Sequence, residues 1–582
     1  MGNCLSPNSG SPDFDTIGMQ EAMDSSNHAS RANYVWVRNE DVTEVYDVVK
    51  VIGIGSMGEV SVVRKRRDGN KSLAKMHSDS TNNLKALGEK EEEKEKEGKG
   101  GGEGKGGGEG KGGETHQPES PNALTLPRKN SSGSISVDLH KLSRSFACKT
   151  VALALMKKEE VKEFENEISI LRELDHPNIV QLFECFRGKR KMWLVMELCT
   201  GGDLTSRVLT EAQAVKVMGQ VMRALSYMHK RGVCHRDLKL ENIMFENVER
   251  GSGVKLIDFG LSAKYSKNEK MTKACGTVYT AAPEVITGKS YTTQTDIWSA
   301  GVCAYILLGQ DLPFLKDHSE LSDPAKFDRL VNARYTFQTE RWGRVSKAGR
   351  EFVAFCLRKH PGSRWTAKEA LLHADDKWRV LFNDEGVLIS KGGGAAAAAG
   401  TPSPGGGRGR KRINSVMLRS FEDFGGYSEM KKKVLMTMAH TMDKGGLKEL
   451  AEMFENIDVN NEGTITLVEL RDALKEKRDI DEDKIGKIFK GIDYDRSGVI
   501  HYKEFLAAAM ESQGLVTQER LLEAFDRMDS DNSGRISKEN LKELLGTDYD
   551  EELVKQMLGG EGKEEEGIDY EAFLELMFGT KE

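Results

Sequence analysis

The spacing of apolar and polar positions divides the chain into segments of different predicted structure. Short apolar runs interrupted by glycines begin at Val45 and predict β-strands, and the run over residues 192–199 predicts a buried strand that leads into a hinge. Between them, residues 159–174 predict a helix, and the segment that starts at Gly201 predicts a mainly helical lobe. No apolar run reaches the ~18 residues of a membrane-spanning helix. The first half of the chain is therefore predicted to join a small sheet-containing lobe to a larger helical one.

Composition adds three limits to this picture. With 582 residues, the chain is too long for one hydrophobic core, so we expect two or more domains joined by linkers. The formal net charge of −7 argues against nucleic acid as a partner and fits a chain with acidic cation sites. The eight cysteines are scattered without a C-x-x-C pair, which is typical of reduced cytosolic thiols rather than of disulfides or a zinc framework.

The strongest chemical signal is the loop from Cys234 to Asn242, which has the pattern H-R-D-x-K-x-x-N. Phosphoryl transfer from ATP needs a carboxylate that orients the acceptor hydroxyl and takes its proton, and Asp237 supplies one. Lys239 can neutralise the transferred phosphoryl group, and Asn242 can bind a metal ion. A charged surface loop is the alternative interpretation, but the partner motifs expected elsewhere in the chain are present.

A glycine-rich segment precedes this loop in the chain. Glycines allow backbone N–H groups to approach phosphates closely, and apolar neighbours cover the adenine. The predicted nucleotide contacts of the segment are Ile52, Gly53, Gly55, Gly58 and Val60. By itself G-x-G-x-x-G could be a plain hairpin turn, but together with the Asp237 loop it indicates ATP binding.

Two lysines compete for the role of binding the α- and β-phosphates. Lys75 lies closer to the glycines, whereas Lys149 follows Ala147 in an A-x-K strand pattern and directly precedes the predicted helix. In that helix Glu167 lies eighteen residues beyond Lys149, a suitable spacing for the lysine–glutamate ion pair of an active kinase. We choose Lys149, so residues 76–145 become a disordered insertion in a loop of the small lobe, which loop-closure entropy tolerates.

Further motifs complete the predicted catalytic apparatus. Backbone groups of Glu197 and Cys199 in the hinge are predicted to bind adenine, and Asp258 in the D-F-G motif to hold Mg²⁺ together with Asn242. The modifiable hydroxyls of the activation segment are Thr272 and Thr277, and Glu284 and Arg364 are predicted to form a buried structural ion pair. Asp203 and Glu241 are candidates for binding a basic residue upstream of the target Ser or Thr, although Asp203 could equally be a solvated helix-start carboxylate.

With these motifs in place, residues 46 to about 380 resemble a eukaryotic protein kinase of the calcium/calmodulin-regulated group. The six positions that carry the resemblance are Lys149, Glu167, Asp237, Lys239, Asn242 and Asp258. The resemblance implies an active Ser/Thr kinase with an α+β bilobal fold that uses ATP and Mg²⁺.

A low-complexity linker and a basic amphipathic segment follow. Residues 381–412 are rich in Gly, Ala and Pro. After them, apolar positions repeat at helical spacing around a run of three lysines, a pattern typical of a helix that enters the groove of a calcium sensor. These positions are Val416, Phe421, Phe424, Met430, Val434 and Met438. An ordinary packing helix is the alternative, and Gly425-Gly426 is expected to break or bend the segment.

The last part of the chain contains an internal repeat of twelve-residue loops that begin at Asp458, Asp493 and Asp529. Such a loop supplies Ca²⁺ with oxygen ligands around a sharp glycine turn. The predicted ligands of the first loop are Asp458, Asn460, Glu462, Thr464 and Glu469. Those of the second loop are Asp493, Asp495, Ser497, Val499 and Glu504. Those of the third loop are Asp529, Asp531, Ser533 and Arg535.

The last two repeats depart from the calcium-binding pattern. The third loop has Asn540 where the bidentate Glu belongs, so we expect weaker binding. The fourth unit has Lys563, Glu566 and Ala572 at positions that normally carry ligands or glycine, and we expect it to bind nothing and to serve as the structural partner of the third.

The chain begins Met-Gly-Asn-Cys, which meets the myristoylation pattern at Gly2 and offers Cys4 for palmitate. Two acyl chains anchor a protein to a bilayer stably, whereas one does not. We therefore expect a cytoplasmic protein attached peripherally to a membrane surface, the plasma membrane above all; a start that matches the pattern by chance is the alternative.

The whole order of segments resembles the calcium-dependent protein kinases of plants, algae and protists. The domains are then an acylated tether (1–44), the kinase (45–380), the linker (381–412), an autoinhibitory junction (413–445) and an all-α calmodulin-like EF-hand domain (446–582). The resemblance implies that the junction blocks the kinase cleft at low Ca²⁺ and is withdrawn when the sensor grips it. Expected partners are protein substrates with an upstream basic residue and the chain's own junction, in a monomer.

Two other classes of function are alternatives. A calcium-dependent scaffold would need a broken catalytic residue, and none is broken. A calcium buffer would leave the junction without a purpose, and two good sites with one weak one give little capacity. Phosphorylation of the chain's own Ser131 and Ser415, each three residues after an arginine, is a further prediction.

Overall fold

The structure is a computed structural model. It describes residues 35–55, 58–66, 144–153, 156–265, 270–314, 324–383, 386–388, 413–442, 447–474, 480–531, 533–545, 549–559 and 567–578. Residues 64–145 form a unit of their own, and the rest of the chain forms the other. Lys75 and the predicted insertion lie outside the described residues, apart from Arg144 and Ser145, the last two residues of the insertion.

A six-stranded sheet forms the small lobe. Its strands are β1 (Trp36–Arg38), β2 (Tyr46–Gly55), β3 (Gly58–Lys65), β4 (Ser145–Ala152), β5 (Leu182–Arg187) and β6 (Lys191–Met196). They lie in the order β1-β5-β6-β4-β3-β2, so the glycine-rich hairpin β2–β3 and the strand β5 stand towards opposite edges. Helix α1 (Val42–Val45) leads into β2, and helix α2 (Lys158–Glu173) matches the predicted helix within one residue at each end.

The folded part begins before the predicted boundary at residue 45. Strand β1 pairs in parallel with β5, with Trp36 opposite Glu184, and Val42 is buried at the start of α1. The segment carries too few apolar residues for a periodic signal, but Trp36 alone provides a large buried surface. Residues 35–44 are therefore part of the small lobe and not of the tether.

The large lobe is mainly helical. Its helices are α3 (Glu211–Lys230), α4 (Pro283–Ile286), α5 (Gln294–Gly309), α6 (Pro324–Val331), α7 (Glu340–Arg344), α8 (Lys347–Cys356) and α9 (Ala367–His373), and its short strands are β7 (Val233–Cys234), β8 (Ile243–Phe245), β9 (Val254–Leu256) and β10 (Ala263–Lys264). Helix α3 starts at a capping box, in which the Thr210 hydroxyl accepts from Gln213 N and the Gln213 side chain accepts from Thr210 N. Fourteen of the sixteen residues of α5 are buried, which places this helix at the centre of the lobe.

The predicted structural ion pair is present in the large lobe. The guanidinium of Arg364 donates two hydrogen bonds to the carboxylate of Glu284, at 2.6 and 2.7 Å, and both side chains are buried. Arg364 also donates to Gln294 O at the start of α5. The pair thus ties the end of the activation segment to the core of the lobe, as the sequence predicts.

The basic amphipathic segment forms two helices, α10 (Ser415–Gly425) and α11 (Glu429–Thr441). The break falls at the two glycines, as predicted, and Gly425 packs against the backbone of Gly491. Five of the six predicted apolar positions are buried to 1% or less, whereas Val416 is 51% exposed. The buried stripe begins instead at Met417, one residue further on, because its spacing to Phe421 and Phe424 follows the helical period.

The C-terminal domain consists of helix–loop–helix units. Its helices are α12 (Lys448–Ile457), α13 (Leu467–Leu474), α14 (Glu482–Ile492), α15 (Tyr502–Ala509), α16 (Gln518–Met528), α17 (Lys538–Leu545), α18 (Glu551–Met557) and α19 (Tyr570–Phe578). Between the helices, β11 (Thr464–Ile465) pairs with β12 (Ile500–His501), and β13 (Arg535–Ile536) pairs with β14 (Ile568–Asp569). The fourth unit is therefore the strand partner of the third, as expected.

Candidate functional site

An ammonium group and two carboxylates lie close together between β4, α2 and the D-F-G motif. Lys149 on β4 donates to both oxygens of Glu167 on α2, at 2.7 and 2.9 Å, and its Nζ lies 3.5 Å from Asp258 Oδ1. Burial opposes the charge on Lys149, but Glu167 and Asp258 outweigh it and raise the pKa of the ammonium. Burial also opposes ionisation of Asp258, and Lys149 and His235 outweigh it and lower the pKa of the carboxyl. Burial raises the pKa of the Glu167 carboxyl, and Lys149 counteracts this shift only in part. The charged forms of Lys149 and Asp258 are thus favoured.

The predicted catalytic loop brings four polar side chains together. Asp237 Oδ2 accepts from Lys239 Nζ at 2.9 Å and from Asn242 Nδ2 at 3.3 Å. Asp237 Oδ1 accepts from the hydroxyl of Thr277 at 2.7 Å, and Lys239 also donates to that hydroxyl at 3.1 Å. The hydroxyl of Thr277, one of the two predicted modifiable hydroxyls, is thus hydrogen-bonded within the catalytic loop, whereas Thr272 is exposed.

The backbone of this loop is fixed by a residue for which the sequence predicts no role. Asp296 on α5 accepts from the backbone N–H groups of His235 and Arg236, both at 2.9 Å, and from the ring of His229 at 2.8 Å. Burial opposes its ionisation, but His229 and these donors lower the pKa of Asp296. With this support Arg236 holds a positive φ of 67°, directly before Asp237.

The predicted nucleotide contacts lie on the strands of the small lobe or next to them. Ile52 on β2 is 47% exposed, and an added Cβ at Gly58 would fall 1.9 Å from Thr150 O, so only glycine fits there. Glu197 donates its N–H to Gln181 O, and its side chain pairs with buried Lys255 at 2.8 Å. Gly53, Gly55, Val60, Ala147 and Cys199 lie on the strands β2, β3 and β4 or just after β6. Residues 56 and 57 lie outside the described residues.

The donor set of the cleft fits a magnesium nucleotide. The side chain of Asp258 is 49% exposed, and Asn242 has a side-chain amide oxygen. Carboxylate and amide oxygens are the ligands that Mg²⁺ takes, and a half-buried lysine that pairs with a glutamate suits a phosphate.

The two candidates for binding a basic residue differ in their surroundings. Asp203 Oδ1 accepts from Thr205 N, from the Thr205 hydroxyl and from Ser206 N, so this carboxylate caps a turn. Glu241 Oε2 accepts from the hydroxyl of Tyr279 at 2.6 Å, next to the catalytic loop.

The first two calcium loops fold around their first aspartate. Asp493 Oδ1 accepts from Ser497 N at 2.9 Å and Oδ2 from Gly498 N at 3.0 Å. Asp458 makes the same two bonds, to the N–H groups of Glu462 and Gly463. The twelfth residue of each loop, Glu469 or Glu504, accepts from the N–H of the third residue at 3.0 Å, and these carboxylates are buried.

The oxygen-rich chemistry of these two loops fits Ca²⁺, which binds six to eight oxygens. The third loop repeats the turn, since Asp529 accepts from Ser533 N and Gly534 N. Its twelfth residue differs: Asn540 Oδ1 accepts from Ser537 N, and its Nδ2 donates to the hydroxyl of Ser530. Asp531 and Arg535 occupy their predicted places, while residues 560–566 of the fourth unit lie outside the described residues.

Side chains of the first loop also contact the kinase. Glu462 forms an ion pair with Lys230 at the end of α3, and Asn461 Oδ1 accepts from Arg223 at 3.3 Å. An added Cβ at Gly463 would fall 2.4 Å from the ring of Tyr227 on α3. The predicted calcium-ligand role of Glu462 therefore competes with this ion pair and stays a prediction.

A second contact joins the third unit to the small lobe. Arg527 at the end of α16 donates to Glu184 Oε1 at 2.9 Å, and both side chains are 1% exposed. The rings of Trp36, Phe146 and Phe183 surround the guanidinium at 5.6 to 6.0 Å. Sequence reasoning missed this contact, because an arginine in an amphipathic helix and a glutamate in a strand give no signal of a distant partner.

Helices α10 and α11 are packed against the C-terminal domain. Helix α10 contacts α14 and α15, and α11 contacts α15, α16 and α18. The ring of Phe421 meets that of Phe505 edge to face, and His440 near the end of α11 contacts Trp36 and Phe183 of the small lobe. The predicted junction thus lies within the sensor, with one end against the β1–β5 edge of the sheet.

Gly2 and Cys4 lie outside the described residues. Among the residues that are described, no helix has both the length and the apolar character needed to span a membrane.

Models of known protein families match three segments of the chain. The family model for the protein kinase domain matches residues 131–374, that for an EF-hand domain pair matches residues 447–510, and that for a single EF hand matches residues 522–545.

Curated relatives match three quarters of the chain. A rice protein named Calcium-dependent protein kinase 11 (Oryza sativa subsp. japonica) is 31% identical over 444 residues, which cover 75% of this chain and 72% of the relative. Calcium-dependent protein kinase 34 of Arabidopsis thaliana is 32% identical over 443 residues, covering 74% and 79%. Calcium-dependent protein kinase 5 of Plasmodium falciparum (isolate 3D7) is 29% identical over 446 residues, covering 74% and 73%.

Proposed function

This chain belongs to the calcium-dependent protein kinase family, and we propose that its sensor activates the kinase by holding the junction helices α10 and α11 away from the catalytic cleft. The chain is a calcium-regulated serine/threonine protein kinase that uses ATP, Mg²⁺ and Ca²⁺ and acts on protein substrates. The contacts made by the catalytic residues and by the calcium-loop residues support the individual roles proposed for them below.

The catalytic roles centre on Asp237. Its carboxylate accepts a hydrogen bond from the hydroxyl of the substrate Ser or Thr. It takes the proton as the hydroxyl oxygen bonds to the γ-phosphorus of ATP and the bond from that phosphorus to the leaving ADP oxygen breaks. Lys239 and Asn242, which both contact Asp237, keep that carboxylate oriented, and Lys239 balances the charge of the transferred group. Lys149 holds the α- and β-phosphates, and Glu167 fixes the lysine by a two-oxygen contact. Asp258 and Asn242 would hold Mg²⁺, which would neutralise part of the negative charge of the phosphates.

The hinge supplies the adenine site. The backbone N–H of Glu197 already donates to the carbonyl of Gln181. The carbonyl of Glu197 and the backbone of Cys199 are therefore the groups that bind adenine. The glycine-rich hairpin covers the phosphates, and Ile52, Val60 and Ala147 provide the apolar walls.

The observation that carries the regulatory proposal is the position of the junction. Phe421, Phe424 and Met430 are each buried to 1% or less within the sensor, and each such side chain contributes about 1.5–3 kcal/mol of burial energy. In the same structure the Lys149–Glu167 pair is formed. While the junction helices are buried in the sensor, they are kept out of the catalytic cleft. In this arrangement the kinase has the Lys149–Glu167 pair that phosphoryl transfer needs.

Calcium controls this grip through the loops that begin at Asp458 and Asp493. Their carboxylates repel one another until a cation joins them, and binding fixes the helices on either side of each loop. At low Ca²⁺ the sensor releases α10 and α11, whose basic and apolar faces then block the cleft. The third loop contributes weakly to calcium binding, because Asn540 cannot act as a bidentate carboxylate ligand. The fourth unit binds no Ca²⁺ and only supports the fold of the third unit.

Substrate choice follows from Glu241. This carboxylate stands beside the catalytic loop, where its Oε2 accepts a hydrogen bond from the hydroxyl of Tyr279. It binds a basic residue upstream of the target Ser or Thr. Asp203 is the weaker candidate because one of its oxygens already accepts three hydrogen bonds.

Gly2 and Cys4 carry the membrane proposal. Myristate on Gly2 and palmitate on Cys4 together attach the kinase to a membrane surface from the cytoplasmic side, and the chain acts there as a monomer. Vesicle co-sedimentation after expression with the acylating enzymes tests this proposal. Gly2→Ala is expected to abolish vesicle binding, and Cys4→Ser to leave a weak and reversible association. Equal binding of the wild type and both variants would overturn the proposal.

An activity titration against free Ca²⁺ tests the regulatory proposal. Transfer of ³²P to a basic-x-x-Ser peptide is measured for the wild type and for the Glu469→Gln and Glu504→Gln variants. The wild type is expected to gain activity with Ca²⁺, and each variant to need a higher concentration of free Ca²⁺ for the same rate, because it loses a bidentate ligand. Equal turnover of the wild type with and without Ca²⁺ would contradict the proposal.

A further inference from the structure

The second calcium loop contains an imidazole, whereas the direct ligands of Ca²⁺ are oxygen atoms. His501 occupies the ninth position, where the first loop has Thr466 and the third has Ser537. Its ring is buried, and its Nε2 points into the loop, 3.1 Å from the hydroxyl of Ser497 and 3.6 Å from Asp495 Oδ2. Ca²⁺ takes oxygen ligands, whereas Zn²⁺ binds imidazole nitrogen well.

Three groups of this loop converge on one point. Ligand atoms of Asp495, His501 and Glu504 all lie within 4.8 Å of one another, and within the described part of the chain this is the one such group of three or more. Tetrahedral Zn²⁺ with bonds of ~2.0–2.1 Å places neighbouring ligand atoms about 3.3 Å apart. The 3.6 Å between His501 Nε2 and Asp495 Oδ2 is already close to that separation.

The third group of the trio is oriented by the backbone of the other two. Glu504 Oε1 accepts from Asp495 N at 3.0 Å, and Glu504 Oε2 accepts from His501 N at 2.7 Å. A carboxylate held in this way needs little rearrangement to bind a metal ion, and such supporting hydrogen bonds strengthen metal sites. The same bonds exist in the first loop, but there the ninth residue offers a hydroxyl that donates to Glu469.

We propose that Asp495, His501 and Glu504 form a zinc site inside the second calcium loop, with water as the fourth ligand, and that Zn²⁺ and Ca²⁺ exclude each other there. Exclusion follows because Asp495 and Glu504 belong to both ligand sets. Zinc in the loop keeps these two carboxylates from Ca²⁺ and so opposes activation. This last step rests on the proposed calcium role of the loop, whereas zinc binding itself does not.

The test compares metal affinities of the full-length chain in its wild-type, His501→Thr and His360→Thr forms. Threonine at 501 reproduces the residue of the first loop and can still cap helix α15, so the fold of the loop is preserved. His360 is an exposed histidine of the large lobe and serves as the matched control. Zinc affinity is measured by competition with a chromophoric chelator in calcium-free buffer, and calcium affinity by titration calorimetry.

The wild type is expected to bind Zn²⁺ at a site from which Ca²⁺ displaces it. His501→Thr is expected to weaken that site by about tenfold or more while calcium affinity stays within about twofold, and His360→Thr to leave both unchanged. The normal calcium affinity of His501→Thr also shows that its loop is folded. Zinc binding that is absent in the wild type, unchanged in His501→Thr or unaffected by Ca²⁺ would overturn the proposal. A loss of calcium affinity alone in His501→Thr would show instead that the imidazole supports a calcium-bound water.

Discussion

The guanidinium of Arg527 lies 2.9 Å from the carboxylate of Glu184, and both side chains are 1% exposed. This pair joins the entering helix of the third calcium loop to β5 of the small lobe, on the side of the sheet away from the glycine-rich hairpin. Loss of one partner leaves the other charge buried, which is costly, whereas loss of both partners is far less so. The pair therefore links the sensor to the catalytic lobe at the helix that leads into the third loop.

A double-mutant cycle tests this link. Arg527→Met and Glu184→Gln are each expected to lower the free energy of unfolding by about 3 kcal/mol or more, and the double variant to lose much less than the sum. Denaturant unfolding of the calcium-loaded chain measures these differences. Additive losses in the double variant would show that the two side chains act independently.

Catalysis should depend on Lys149 and Asp237 and not on Lys75. Asp237→Asn removes the proton acceptor, and about a 10²- to 10⁴-fold loss of kcat is expected. Lys149→Met removes the phosphate contact and frees Glu167, so activity should fall steeply as well. Initial rates with MgATP and a peptide substrate give the comparison. Full activity in either variant, or a loss in Lys75→Met alone, would refute the assignment.

The glycines of the two good calcium loops allow a matched comparison. Gly463 and Gly498 both hold positive φ, at 71° and 80°, but only Gly463 faces the kinase, where a methyl group would meet Tyr227. Alanine at either position should weaken calcium binding through backbone strain. Only Gly463→Ala should also expose α3 to hydrogen exchange around Tyr227 in calcium-saturated protein. Equal protection of α3 in both variants would show that the first loop does not pack on the kinase in solution.

The third loop should be repairable by one substitution. Asn540 occupies the twelfth position, is 4% exposed and makes hydrogen bonds to Ser537 and Ser530. Asn540→Glu supplies the missing bidentate carboxylate, so calorimetry should show one more strongly bound Ca²⁺ per chain than in the wild type. An unchanged number of strongly bound ions would mean that other features of the loop limit binding.

The local chemistry of this chain could be predicted from its sequence, because each motif carries its own spacing. Three of the predictions depend only on residues within one short segment. They are the strand–helix pattern around Lys149 and Glu167, the order of Asp237, Lys239 and Asn242, and the glycine break in the junction. The same is true of the calcium loops, where ligand positions and the glycine turn recur at a fixed interval. Short-range spacing is thus sufficient for the elements and for the candidate ligands.

Long-range contacts could not be predicted in the same way. Nothing near Arg527 in the sequence indicates that it meets Glu184, 343 residues away, and nothing near Glu462 indicates an ion pair with Lys230. Trp36 also gave no periodic signal, although it pairs β1 with the small-lobe sheet. These contacts depend on how separately folded segments pack against each other. No local pattern in a single sequence indicates that packing.

In the proposed regulation, the C-terminal part of the chain restrains the kinase until Ca²⁺ binds. The most direct measurement is the rate of peptide phosphorylation in calcium-free buffer by the full chain and by a chain that ends at Ile413, before α10. We predict that the shortened chain is about tenfold or more faster than the full chain without Ca²⁺, and that Ca²⁺ no longer changes its rate. A shortened chain that is no more active than the full chain in calcium-free buffer would contradict the claim.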